Sequence, residues 1–131
     1  MLMKITIRNR IKIDHQEELI KESYPVELKK GNSATMLRYQ NATGEKILLK
    51  FDEQALTMTR FSTPPVKMHF HPENPSVTNY EGLGELSLST QTLSIDPEQQ
   101  KIKISYQLAQ QGLKIGDYHL RIDWTDEEGD K

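Results

Sequence analysis

The stretch Met3-Lys4-Ile5-Thr6-Ile7-Arg8-Asn9-Arg10-Ile11-Lys12-Ile13 decides how the chain folds. Its odd positions carry Met3, Ile5, Ile7, Ile11 and Ile13, and its even positions carry Lys4, Thr6, Arg8, Arg10 and Lys12. Successive side chains of a β-strand point to opposite faces, so this rhythm gives one aliphatic face and one basic face. Wound as a helix, the same isoleucines scatter around the circumference and leave no apolar stripe. The segment reads as a half-buried strand.

The two-residue rhythm recurs along the chain. Tyr24, Val26 and Leu28 share a parity, as do Leu37 and Tyr39, then Ile47, Leu49 and Phe51. Leu56 and Met58 lead to Arg60, and Val66, Met68 and Phe70 follow. Later sets are Leu86 and Leu88; Ile102, Ile104, Tyr106 and Leu108; and Tyr118, Leu120, Ile122 and Trp124. Turn-forming clusters separate them: Lys30-Gly31-Asn32-Ser33, Asn41-Ala42-Thr43-Gly44, Asp52-Glu53-Gln54, Ser62-Thr63-Pro64-Pro65, Pro72-Glu73-Asn74-Pro75-Ser76, Asp96-Pro97-Glu98-Gln99 and Gln111-Gly112.

Many short strands in 131 residues imply an antiparallel sandwich or an up-and-down barrel. The apolar share is 35%, which matches the roughly 40 inward positions of a ten-stranded barrel and leaves no surplus for a second buried face. The expected fold is all-β: one antiparallel up-and-down barrel of about eight to ten strands, a single domain over residues 1–131. Residues 126–131 (Asp126, Glu127, Glu128 and Asp130 among them) read as an acidic, frayed tail.

Three places break the rhythm. Around Asp14-His15-Gln16 a hairpin competes with a helix capped by Asp14 and Glu17; only two apolar residues follow, too few for a buried helical stripe, so the hairpin is favoured. Pro25 cannot donate to a ladder and predicts an edge or bulge. The apolar parity flips from Leu88 to Leu93 and Ile95, which predicts a bulge near Gln91.

Composition excludes several classes. With 17 Lys+Arg against 19 Asp+Glu the net charge is −2, which argues against a wholesale basic nucleic-acid binder. The charge is uneven: residues 1–65 hold 11 basic and 8 acidic side chains, residues 66–131 hold 6 and 11. There is no cysteine, hence no disulfide, zinc-thiolate site or thiol nucleophile. Apolar runs are too short for a membrane span or a signal-peptide core. A cytoplasmic protein without membrane partners is expected, as a monomer or a homodimer.

The order of residues from Thr78 onward resembles the YwiB-like family, a domain-of-unknown-function family of low-GC Gram-positive bacteria. The run is Thr78-Xaa-Tyr80, Gly84-Xaa-Leu86-Xaa-Leu88-Xaa-Thr90-Xaa-Xaa-Leu93, Ile102-Xaa-Ile104-Xaa-Tyr106-Xaa-Leu108 and Tyr118-Xaa-Leu120-Xaa-Ile122. Lys30 to Tyr39 and Met58-Xaa-Arg60 also fit. The resemblance implies a fold similar to calycins, the lipocalin-like barrels, and implies no activity. The chain departs from the pattern after Arg60, where related chains place a glycine and this one reads Phe61-Ser62-Thr63-Pro64-Pro65. It also lacks the Gly-Xaa-Trp of lipocalins proper; Trp124 is the only tryptophan.

Candidate chemistry is sparse. Parity puts Arg60 on the inward face of Leu56 and Met58, where a guanidinium must be paired or hold an anion. It suits a ligand carboxylate or phosphate, or else it ends its strand and reaches solvent at the rim. Tyr80, Tyr106 and Tyr118 lie among apolar residues and are read as further ligand contacts, or as core tyrosines with satisfied hydroxyls. His69 and His71 share an outward face; a metal site needs Glu73 or His119 brought near, so two solvated histidines are favoured. Lys4, Arg8, Arg10 and Lys12 form a basic outer face, either a solvated surface or an interaction face. No catalytic motif, cofactor signature or metal site is present, so no enzyme is expected. The leading expectation, by fold analogy, is binding of a small, partly apolar molecule inside the barrel. The alternative is an RNA- or protein-interaction module on the basic face; nucleic acid is the less favoured partner, because that face lacks stacking aromatics.

Overall fold

The structure, a computed structural model, describes residues 3–80 and 84–126, without the side chain of Tyr80. Ten strands follow in order: β1 (Met3–Ile13), β2 (Gln16–Lys30), β3 (Thr35–Gln40), β4 (Lys46–Phe51), β5 (Leu56–Phe61), β6 (Val66–Phe70), β7 (Ser76–Tyr80), β8 (Gly84–Asp96), β9 (Lys101–Gln110) and β10 (Leu113–Asp126). They form one antiparallel sheet in the order β6-β5-β4-β3-β2-β1-β10-β9-β8-β7. The β1–β10 ladder, from Met3↔Asp126 to Lys12↔Asp117, joins the two ends of the chain. No helix among the described residues is long and apolar enough to cross a membrane.

The sheet curls until its two edges, β6 and β7, stand side by side, consistent with a calycin-like barrel. Closure is nearly complete. Ser76 Oγ donates to the His69 carbonyl at 2.9 Å, yet no ladder joins β6 to β7 among the described residues. Both strands have five residues, and the connection between them contains Pro72 and Pro75, which supply no backbone donors. The expected closed barrel therefore keeps a seam.

The breaks in rhythm have visible causes. Asp14 takes a positive φ of 55° and turns the β1–β2 hairpin, with Ile13 opposite Gln16. Pro25 lies one residue before the β2–β3 ladder starts at Val26↔Tyr39, where β2 has a partner on its β1 side alone. It is a local edge within a central strand. Thr90 faces Tyr106 while Thr92 faces Ser105, so Gln91 is the extra residue of a bulge that returns Leu93 and Ile95 to the inner face. A second shift between Lys114 and Gly116 leaves Ile115 extra. At Gly116 a Cβ would stand 2.9 Å from the Lys12 carbonyl oxygen, so only glycine lets β10 close on the end of β1.

Inward residues of both halves fill the centre of the barrel. Ile5, Leu37, Leu49, Leu56, Phe70, Leu88, Ile102 and Ile122 are fully buried, and the Phe51 and Trp124 rings meet at 5.5 Å. The β1–β2 hairpin runs beyond this core, and Ile13 is 42% exposed. Asp126, read as the first residue of the acidic tail, is the last residue of β10 and lies opposite Met3; residues 127–131 lie outside the described residues.

Truncating a fully enclosed side chain loses its transfer energy and leaves a cavity. Leu49→Ala is expected to cost about 3 kcal/mol in urea unfolding. Leu113→Ala, at a residue 76% exposed, is expected to stay within about 0.5 kcal/mol of the parent.

Candidate functional site

The inner wall is mostly apolar, with a few polar side chains set into it. Alternation along β5 puts Arg60 on the face of Leu56 and Met58, flanked by Ile47 on β4 and Val66 on β6. Arg60 is half-buried, and its Nε is buried without a hydrogen-bond partner among the described residues. Ile47 in turn lies opposite Tyr39, so Arg60 and Tyr39 share one line across the sheet, two strands or about 10 Å apart.

Tyr39 is buried, and burial pushes its phenol pKa far up. The charge of Glu22 and the neighbouring Tyr24 push it the same way, while the Arg60 cation pulls it down. Tyr24 stacks on Tyr39 with centroids 5.4 Å apart and planes 13° from parallel. Its own pKa is raised by burial and by a hydrogen bond and unfavourable charge interaction with Glu22. A cleft of about 440 Å³ opens where β2 parts from β3, lined by Pro25, Val26, Arg38, Tyr39 and Lys46 among others. Glu22, Tyr24, Tyr39 and Arg60 thus form one electrostatically linked group beside an opening.

Tyr106 and Tyr118 occupy the other half of the wall. They face each other across the β9–β10 ladder, stack at 4.9 Å and 7°, and Phe70 meets Tyr106 edge-on at 4.9 Å. The buried Thr78 and Thr90 hydroxyls lack partners among the described residues, as does Asn9 Oδ1 on β1. The Tyr80 side chain lies outside the described residues. Glu22 has the parity of Tyr24 and Val26, so its place on this face is written in the sequence, inside a run of charged residues that masks it.

The remaining candidates lie on the outside. Thr57 Oγ1 and His69 Nδ1 are hydrogen-bonded at 2.9 Å, whereas His71 Nδ1 accepts the Glu73 backbone N–H at 3.1 Å. His119 is hydrogen-bonded to Ser105 Oγ on the β9–β10 face. No group of three His, Cys, Asp or Glu placed to hold a metal occurs among the described residues. Lys4, Arg8, Arg10 and Lys12 share the outer face of β1; Arg8 pairs with Asp123 at 2.9 Å and Arg10 with Glu17 at 3.1 Å.

A family model described as "Domain of unknown function (DUF1934)" matches residues 5–122, which include both polar groups of the inner wall. The chain belongs to the DUF1934 family. Its fold is similar to that in a "Crystal structure of ywiB protein from Bacillus subtilis", with a TM-score of 0.77 and 18% identity over 95% of this chain and 91% of that one. No curated protein matches. The DUF1934 barrel therefore comes with a shared fold, and its chemistry has to be read from its own residues.

One consequence concerns alkaline stability. Tyr39 holds its proton more tightly folded than unfolded, so its contribution is complete below the ordinary phenol pKa of about 10 and is lost as pH rises through the folded value. The urea midpoint of the parent should fall above pH about 10, and less steeply in Tyr39→Phe.

Proposed function

We propose that this DUF1934 protein is a non-catalytic, cytoplasmic binder of a small, partly apolar anion, seated at the hairpin end of the barrel with its acid group on Arg60. The observation that carries this reading is the Arg60 Nε, buried and without a hydrogen-bond partner among the described residues, on a mostly apolar wall. An orphaned donor on a cationic group is costly, and a carboxylate or phosphate on the planar fork removes that cost. Because the centre of the barrel is filled by Phe51, Phe70, Trp124 and their neighbours, the ligand belongs at the mouth, above the core. Tyr24 and Tyr39 supply aromatic faces there, and the cleft beside Tyr39 supplies a way in. Tyr106 and Tyr118 serve as the opposite, apolar wall. The cytoplasmic setting is supported by the lack of cysteine.

The test uses an aromatic sulfonate, 8-anilinonaphthalene-1-sulfonate, as a partly apolar anion. Saturable fluorescence enhancement is expected with the parent, weakened on the order of tenfold in Arg60→Met, since one charge-assisted contact is worth about that much. The same substitution removes an unsatisfied, half-buried cation and should leave the melting temperature equal or higher. Equal dye affinity in both proteins rules the reading out.

A further inference from the structure

Register between strands reveals a feature invisible along any one of them. On the outer face, Lys21 of β2 lies opposite Arg8 of β1, Arg8 opposite Arg121 of β10, and Arg121 opposite Lys103 of β9. Four cations therefore form one line across four adjacent strands, spanning roughly 14 Å at the usual strand spacing. Like charges directly opposite in a sheet repel and destabilise it. Among the described residues a single carboxylate is bonded to the line: Asp123 Oδ2 accepts from Arg8 at 2.9 Å and from Arg121 at 3.3 Å. Lys21 and Lys103 form no ion pair among the described residues.

The line's neighbours point to what it holds. Arg10 and His119 form the next row on one side, and Ser105 and Thr92 continue that row. Thr6 and Ser23, hydrogen-bonded at 3.1 Å, lie on the other side. A shallow depression of about 390 Å³ is lined by Arg8, Arg10, Leu19, Lys21, His119 and Arg121 among others, with no carboxylate in its lining. The guanidinium-bearing side chains stay open, with Arg8 45%, Arg10 55% and Arg121 44% exposed.

We propose that this line is a docking surface for the phosphodiester backbone of a single RNA strand. A small anion is enclosed by its site, and this depression is shallow and open. An acidic protein partner needs a desolvated apolar or aromatic centre, and among the described residues the depression holds one large exposed apolar side chain, Leu19, and no Phe, Tyr or Trp ring. Regularly spaced phosphates meet successive cations and are contacted by Arg, Lys, Ser and Thr without base specificity. The repulsion stored in the unliganded row is relieved by the polyanion.

The probe is a fluorescein-labelled, mixed-sequence single-stranded RNA of about 12 nucleotides, within the range such grooves cover, read by anisotropy with the full chain. With about three phosphates neutralised, log K should fall against log salt with a slope near −2. In Lys21→Gln/Lys103→Gln the affinity should drop on the order of tenfold and the slope flatten by about 1.4. That double variant removes no ion pair and should melt no lower than the parent, so its loss of binding is separable from misfolding. Lys46→Gln/Lys50→Gln on β4 should leave affinity within about twofold, and Arg60→Met should not affect it. Salt-independent binding, an unaffected Lys21→Gln/Lys103→Gln protein, or tighter binding of a Glu-rich peptide of equal charge overturns the proposal.

Discussion

Everything in this molecule follows from the requirement that one face of each strand be enclosed by the other strands. A polar atom on that face either finds a partner or costs about 1–3 kcal/mol. Five buried side-chain atoms lack a partner among the described residues, and four of them, on Asn9, Arg60, Thr78 and Thr90, belong to the inner face. The rest of that face is conventional aliphatic and aromatic packing. Unsatisfied polar atoms on an otherwise packed wall are what a seat for another molecule, or for ordered water, leaves open.

The outer face obeys the opposite rule. There a charged side chain is cheap because water solvates it, and pairing adds little. What matters is which charges the ladders set side by side. Arg8 is unremarkable along β1, where Thr6 and Arg10 flank it on the same face, and becomes part of a repulsive row only when β2, β10 and β9 fall into register. Asp123 is drawn between two of those arginines, with its second oxygen left buried and unpartnered. One acid cannot neutralise the row.

The strand count, the inward sets and the Gln91 bulge were legible because alternation is a local property. Arg60 was legible for the same reason, two residues beyond Met58. The Ile115 bulge was also written in the sequence: Leu113 and Ile115 stand on odd positions, Tyr118 and Leu120 on even ones, and the flip went unread. Other features were out of reach in physical terms. The coupling of Arg60 to Tyr39 passes through Ile47 on an intervening strand, and the four-cation row depends on three separate registers. The incomplete closure between β6 and β7 was legible only in part: Pro72 and Pro75 stand in the sequence, but which two strands form the edges of the sheet depends on its topology.

That seam also bears on how the site is reached. The β1–β10 ladder binds the most distant parts of the chain over the whole length of β1, and separating them breaks every one of those pairs. Separating β6 from β7 breaks the Ser76–His69 hydrogen bond and no ladder among the described residues. Local opening follows the path that gives up the fewest hydrogen bonds and the least buried apolar area. Val66, the first residue of the edge strand β6, is the ladder partner of Arg60. The seam thus lies one strand from Arg60, while the cation row on β9, β10, β1 and β2 sits on the longest ladders of the sheet. The inner seat is built where the wall can give, and the outer row where it cannot.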